Sequence, residues 1–309
     1  MMMTFETLLE EHFYARILRP ASQDCYIKTV RLFTQYQDIL PSEVTFKIVL
    51  GWRRYLLTER EIKAVSWNHY MRNMRALFNF AIDRGLLFQM ENPFLKTTLR
   101  ESKKKKKTLS QGQIATSRQI LKELMSFESA PGKYSRYYPA WFWLTVIETY
   151  HYTAIRLNQL IHLRVKDIDL VNRIIFIQSD NNKNYEEHQV PIASKLMPLL
   201  SHLVDEARNC GIRANEQIFN VNRFSYRTRR QGELMSKDQV NHFFRKLSDE
   251  CRSRISSHRY RHTVATELMK RPEKNLYVTQ KLLGHRDIKV TLSYIEHDVE
   301  MLRDCVERD

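Results

Sequence analysis

Five consecutive lysines, Lys103–Lys107, interrupt this chain of 309 residues about a third of the way along. Charges this dense repel one another and cannot be buried, so the run stays extended unless a polyanion neutralises it. Folding must therefore proceed on either side of it. The flanking stretches, roughly 100 and 200 residues long, can each bury a core. The expected organisation is a helical domain over residues 1–99, a basic interdomain linker over 100–112 and a second domain over 113–309.

The first stretch reads as helices. Tyr26, Val30, Phe33 and Tyr36 recur at helical spacing, and Phe46, Val49, Leu50 and Leu57 give a second apolar stripe. A third helix is expected from an N-cap at Ser66. Trp67, Tyr70, Met71, Met74, Leu77, Phe78 and Ala81 line one side of it, and Gly85 sits at its C-terminal end. Its opposite face carries Asn68, Arg72, Arg75 and Asn79, a polar stripe suited to a DNA groove, with Arg72 and Arg75 as the candidate contacts. With only 7 Gly and 8 Pro, a loop-rich β architecture is disfavoured. The second stretch is also mainly helical around one small antiparallel sheet. The run Arg173–Gln178 reads as a strand, Val190–Ile192 as its returning partner and Leu163–Leu170 as a third short strand.

Lys and Arg number 50 against 35 Asp and Glu, a formal charge of +15 that favours partners dense in negative charge. The first hundred residues hold 14 basic and 10 acidic side chains, so the excess is spread along the chain. Such spreading suits contact with a long polyanion. The lysine run itself, Lys103, Lys104, Lys105, Lys106 and Lys107, is the expected phosphate-contacting segment, with steeply salt-dependent binding. The most apolar stretch, Tyr137–Thr145, meets Glu148 before it can span a bilayer. Cys25, Cys210, Cys251 and Cys305 lie far apart, as expected for free, mostly buried thiols in a reducing cytoplasm. Phosphate-cradling glycine loops and the His-Glu-x-x-His pattern are absent from the sequence. Asp167 and Asp169 suggest a metal-dependent nuclease, but no third carboxylate motif completes such a site, so no metal is expected.

An ordered set of phosphate-handling residues remains. It comprises Thr153-Ala-Ile-Arg156-Leu-Asn-Gln-Leu160, Lys183 in the hairpin connection, and Ser257-His258-Arg-Tyr-Arg261-His262. Leu282-Leu-Gly-His285 and Thr291-Leu-Ser-Tyr294 complete it. In this order the set resembles the tyrosine recombinases, the phage integrase and Xer-type site-specific recombinases, along the whole chain. The resemblance implies a core-binding domain and a catalytic domain that form a C-shaped clamp on DNA. It also implies the catalytic residues Arg156, Lys183, His258, Arg261, His285 and Tyr294.

Elementary chemistry agrees with those roles. A hydroxyl that attacks phosphorus keeps the bond energy as a phosphotyrosine ester, the role the resemblance implies for Tyr294. Guanidinium groups match the charge that spreads over two non-bridging oxygens, the task of Arg156 and Arg261. His258, one helical turn from Arg261, takes or shares the tyrosine proton, and His285 donates to a non-bridging oxygen. The resemblance implies that Lys183 protonates the leaving 5′-oxygen, with Lys195 as the alternative. His262 and His297 are read as structural neighbours.

Two positions depart from the family pattern. Ala154 stands where a glycine is usual, and Gln159 replaces an acidic residue three positions after the arginine. The expected function is site-specific recombination through a 3′-phosphotyrosyl intermediate and a Holliday junction, with no cofactor. The expected partners are duplex DNA with an inverted-repeat core site and further copies of the chain, a homotetramer on two sites docked through the C-terminal tail. Cytoplasmic, nucleoid-associated action follows from that role. The rivals are a topoisomerase IB-like or resolvase activity, and a DNA-binding regulator that keeps the fold without turnover.

Overall fold

The computed structural model describes residues 3–88, 91–102, 106–178, 187–225 and 229–295. Lys103–Lys105, Lys183, His297 and the tail over 296–309, whose Val299, Leu302 and Val306 suggest a short amphipathic helix, lie outside the described residues. The chain divides into two units, Met1–Lys104 and Lys105–Asp309.

Within the first unit, four helices arise from amphipathic stretches: α1 (Phe5–Ala15), α2 (Pro20–Thr34), α3 (Phe46–Thr58) and α4 (Ala64–Asp83). Trp67, Met71, Met74, Phe78 and Ala81 of α4 are fully buried, and the helix packs against the other three. It begins two residues before the expected cap, because the Lys63 carbonyl accepts from both Ser66 N and Trp67 N. It ends where Gly85 adopts φ +67°, a conformation glycine takes without strain, so that Leu86 N donates to Ala81 O at 2.8 Å. The stripe of α3 is rotated from its expected position. Val49, Trp52 and Leu56 are buried while Phe46 is 49% exposed, since burying an indole removes more apolar area than burying a phenyl ring. Phe33 meets Trp52 edge-on at 5.0 Å between ring centroids, and Phe78 meets Phe94 at 4.8 Å.

The polar face of α4 is not uniformly free for DNA. Asn68 is buried; its Nδ2 donates to Leu99 O and to Glu101, and its Oδ1 accepts from Leu99 N at 2.8 Å. Asn79 Oδ1 accepts from Asn92 at 2.7 Å. The two asparagines thus hold the segment that returns across the helix. Arg75 is half-buried with Nε on the Met71 carbonyl, and Arg72 is exposed.

The second unit is built around α6 (Ala140–Thr153), buried on nearly every side as its apolar composition requires. Its one carboxylate, Glu148, pairs with Arg118 of α5 (Gln111–Glu128) through two hydrogen bonds. A four-residue helix, α7 (Leu157–Leu160), leads into the sheet of β1 (Ile168–Asp169), β2 (Ile174–Ile177) and β3 (His188–Pro191). The order is β1-β2-β3, antiparallel, with Ile168 opposite Ile175 and Ile175 opposite Val190. Ile175, Ile177 and Val190 face the core. The third strand is shorter than the sequence suggests, because Val165–Asp167 form a 3₁₀ turn instead. Asp167 accepts from Arg164 N and Gln178 Nε2, and Asp169 accepts from Asn172, so each carboxylate secures its own turn.

Helices α8 (Met197–Asn209), α9 (Val221–Phe224) and α10 (Lys237–Glu250) cover this core, followed by α11 (Ser257–Leu268), α12 (Pro272–Leu283) and α13 (Ile288–Leu292). Cys25, Cys210 and Cys251 are unpaired thiols, half-buried rather than buried. No helix among the described residues is long and apolar enough to cross a membrane.

Candidate active site

The site begins where α6 stops. Ala154 leaves the helix with φ +53°, a left-handed conformation that costs a residue with a Cβ about 1 kcal/mol or more. The turn aims the Ala154 carbonyl at Arg261, whose Nη1 donates to it at 2.6 Å. This gives a physical reason for glycine to be usual at this position, and the chain accepts the strain to keep the carbonyl in place. Two residues on, Arg156 caps α7. Its backbone N–H donates to Gln159 Oε1 at 2.7 Å, a bond a neutral amide makes as well as a carboxylate does. Gln159 Nε2 and Arg156 Nη1 are both buried with no hydrogen-bond partner among the described residues. Arg156 Nη2 reaches Gly284 O at 3.4 Å.

Helix α11 starts under a Ser256 cap, and its period puts His258, Arg261 and His262 on one face. Arg261 is only 3% exposed. Its Nη2 donates to Leu283 O at 2.7 Å and to His285 Nε2 at 3.1 Å. Burial, and then Arg156, disfavour its charge, yet a guanidinium stays protonated at neutral pH. Because His285 Nε2 accepts, its proton sits on Nδ1 and is donated to Thr291 Oγ1 at 2.9 Å. Burial, Arg261 and Arg156 hold the His285 imidazole down to about 3.

The turn after α12 requires glycine twice over. Gly284 has φ +58°, and a Cβ there would lie 3.0 Å from the His188 ring. His188 thereby enters the site from β3, held down to about 4 by burial, Arg156 and Arg261. Tyr294, 5% exposed, follows α13. Its hydroxyl lies 3.0 Å from His262 Nδ1, and its ring stacks over His285 at 6.0 Å. Burial raises the phenol pKa, and Arg261 and Arg156 pull it back. His262 is held down to about 4 by burial and by His258, so it is neutral at pH 7.

Five of the six expected catalytic residues, Arg156, His258, Arg261, His285 and Tyr294, therefore gather in one cluster; the sixth, Lys183, is outside the described residues. The neighbour on the tyrosine hydroxyl is His262, not the expected His258, whose ring packs against His262 at 4.7 Å. Helical periodicity places both imidazoles on one face and cannot choose between them. Sequence reasoning missed His188, and it gave Lys106 only a phosphate contact. Lys106 Nζ lies 3.5 Å from the centre of the Tyr294 ring and donates to Ser293 Oγ at 2.7 Å. Lys195, the alternative proton donor, is exposed beyond β3. Two guanidiniums and an ammonium among neutral imidazoles concentrate positive charge here, the chemistry that suits an anion with several oxygens.

Known proteins resemble this chain along nearly its whole length. Residues 98–301 match the phage integrase family and residues 4–98 the phage integrase SAM-like domain. A putative tyrosine recombinase XerC of Pseudomonas syringae is 37% identical over 98% of this chain, which spans 64% of that relative's length. One of Pseudomonas aeruginosa is 38% identical over 97% of this chain and 70% of its own length. Among solved structures, the Tn1549 transposon integrase in complex with circular intermediate DNA aligns with a TM-score of 0.73 at 18% identity, covering 99% of this chain and 100% of that one. A lambda integrase dimer bound to a COC' core site aligns at 0.68 and 16% identity, covering 95% and 96%. These two likenesses concern the fold.

Proposed function

The chain belongs to the phage integrase family of tyrosine recombinases, and from that premise we propose that it is a site-specific recombinase that cuts and rejoins DNA through Tyr294. Tyr294 Oη attacks the scissile phosphorus, forming a 3′-phosphotyrosyl ester as the bond from phosphorus to the 5′-oxygen breaks. The phenolic proton passes to His262, and the departing 5′-oxygen takes a proton from Lys183. Arg156 and Arg261 hold the non-bridging oxygens as charge builds on them. Attack by the 5′-hydroxyl of a partner strand reverses the chemistry and yields a Holliday junction. The acting assembly is a homotetramer on two inverted-repeat core sites, and the outcome is integration, excision or resolution of DNA.

One observation carries this reading. A buried tyrosine hydroxyl sits on a neutral imidazole nitrogen at 3.0 Å, and the buried Arg261 and the Arg156 guanidinium share its pocket. The +15 charge of the chain suits the polyanionic substrate. A suicide duplex nicked beside the core site tests it. The wild-type chain should give an SDS-resistant protein–DNA adduct and Tyr294→Phe should bind without forming one. A persistent adduct in Tyr294→Phe would move the nucleophile elsewhere. DNA binding without any adduct in the wild type would favour a regulator that keeps the fold.

A further inference from the structure

One lysine of the run lies against the tyrosine of the site. Lys106, its fourth member, lies over the face of Tyr294 with Nζ 3.5 Å from the ring centre, well within the range of about 6 Å at which a cation is held by an aromatic quadrupole. The same ammonium donates to Ser293 Oγ at 2.7 Å, so it grips the nucleophile and the residue before it. The stretch that carries it is anchored. Leu109 is buried, and its N–H donates at 2.8 Å to Thr263 Oγ1, the residue after His262. Lys107 is exposed by contrast.

We propose that Lys106 is a positioning residue for the nucleophile, supplied by the linker, which holds the Tyr294 ring over His285 and its hydroxyl on His262. The proposal rests on the reading of Tyr294 as nucleophile. Three cations, Arg156, Arg261 and Lys106, then surround the tyrosine. Burial and Arg261 both disfavour the charge on Lys106, a cost that an arriving phosphate relieves. Engagement of the linker by DNA and alignment of the tyrosine are thereby coupled through one side chain. A lysine that only touched phosphate would affect binding alone.

The neighbouring lysine supplies the control. Lys106→Met and Lys107→Met each remove one linker charge and should each lower the salt slope of DNA binding by about 0.9. At saturating protein, single-turnover cleavage of the suicide duplex should fall at least about tenfold in Lys106→Met and stay within about twofold in Lys122→Met, at an exposed position of α5, because misalignment of a reacting group costs rate rather than affinity. Lys106→Arg, which can still stack on the ring and donate to Ser293, should restore the rate, whereas Lys106→Gln, which keeps only the hydrogen bond, should not. A readout free of DNA chemistry separates this idea from its premise. With 3-fluorotyrosine at position 294 in the full chain without DNA, the fluorine resonance should move in Lys106→Met and not in Lys107→Met. Equal cleavage rates in Lys106→Met and Lys122→Met, or an unmoved resonance, would overturn the positioning role while leaving Tyr294 as nucleophile. An adduct that survives Tyr294→Phe would sink the premise, and the fluorine experiment would still report the contact.

Discussion

His12 of α1 is fully buried among Phe13, Tyr26 and Phe80, with ring centroids 6.0, 4.9 and 5.0 Å away. Neither ring nitrogen has a hydrogen-bond partner among the described residues. Burial, with Arg16 adding to it, lowers its pKa from 6.5 to about 4. The unfolded chain therefore binds this proton more readily than the folded one. Stability is intact above pH 6.5 and is lost as pH falls toward 4. The loss is about 2 kcal/mol at pH 5 and about 3 kcal/mol once pH is below both values.

His12→Met keeps the volume, removes the titration and leaves a thioether suited to an aromatic nest. It should stabilise the first unit by about 1 kcal/mol at pH 7.5, since a buried unpartnered polar atom costs about that much. The gap should widen to about 3 kcal/mol at pH 5. Pulse-labelling hydrogen exchange against urea, read on α4 peptides of the full chain, isolates this unit from the other. Wild-type and variant curves separated by the same amount at both pH values would refute the reasoning, because the histidine would then be protonated without penalty in the folded state.

Two further predictions concern proton transfer. His262→Ala should slow single-turnover cleavage by about a hundredfold and His258→Ala by clearly less; the reverse order would return the proton to His258. Lys183→Ala should slow cleavage of an ordinary strand, and a sulfur in place of the bridging 5′-oxygen should rescue it, because a thiolate leaves without an acid. Failure of rescue would reassign the acid.

Helical periodicity, caps and strand alternation are consequences of bonds between residues three, four or two positions apart, so they are written locally. That is why α4, its Gly85 terminus and the pairing of β2 with β3 are legible in the residues themselves. The charges and hydroxyls of the site are legible for a different reason: few residue types suit an in-line attack on phosphate. The sequence alone thus proposes most of the residues at the site, His188 excepted.

It does not determine who touches whom. Asn68 looks like part of a free polar face until Leu99, 31 residues away, returns to take both ends of its amide. Tyr294 rests on His262 rather than His258 because of how α11 and the turn after α13 pack, 32 residues apart. Ala154 reads as a mild departure from glycine, yet its left-handed turn delivers a carbonyl to Arg261 across 107 residues. Lys106 reaches Ser293 over a separation of 187. No periodicity spans such distances. They are closed by burial of separate apolar clusters, one of which packs Ala154 and Tyr294 with Ala265, Met269 and Leu283, and by the few hydrogen bonds that buried polar groups must find, and those are set only once the helices have packed.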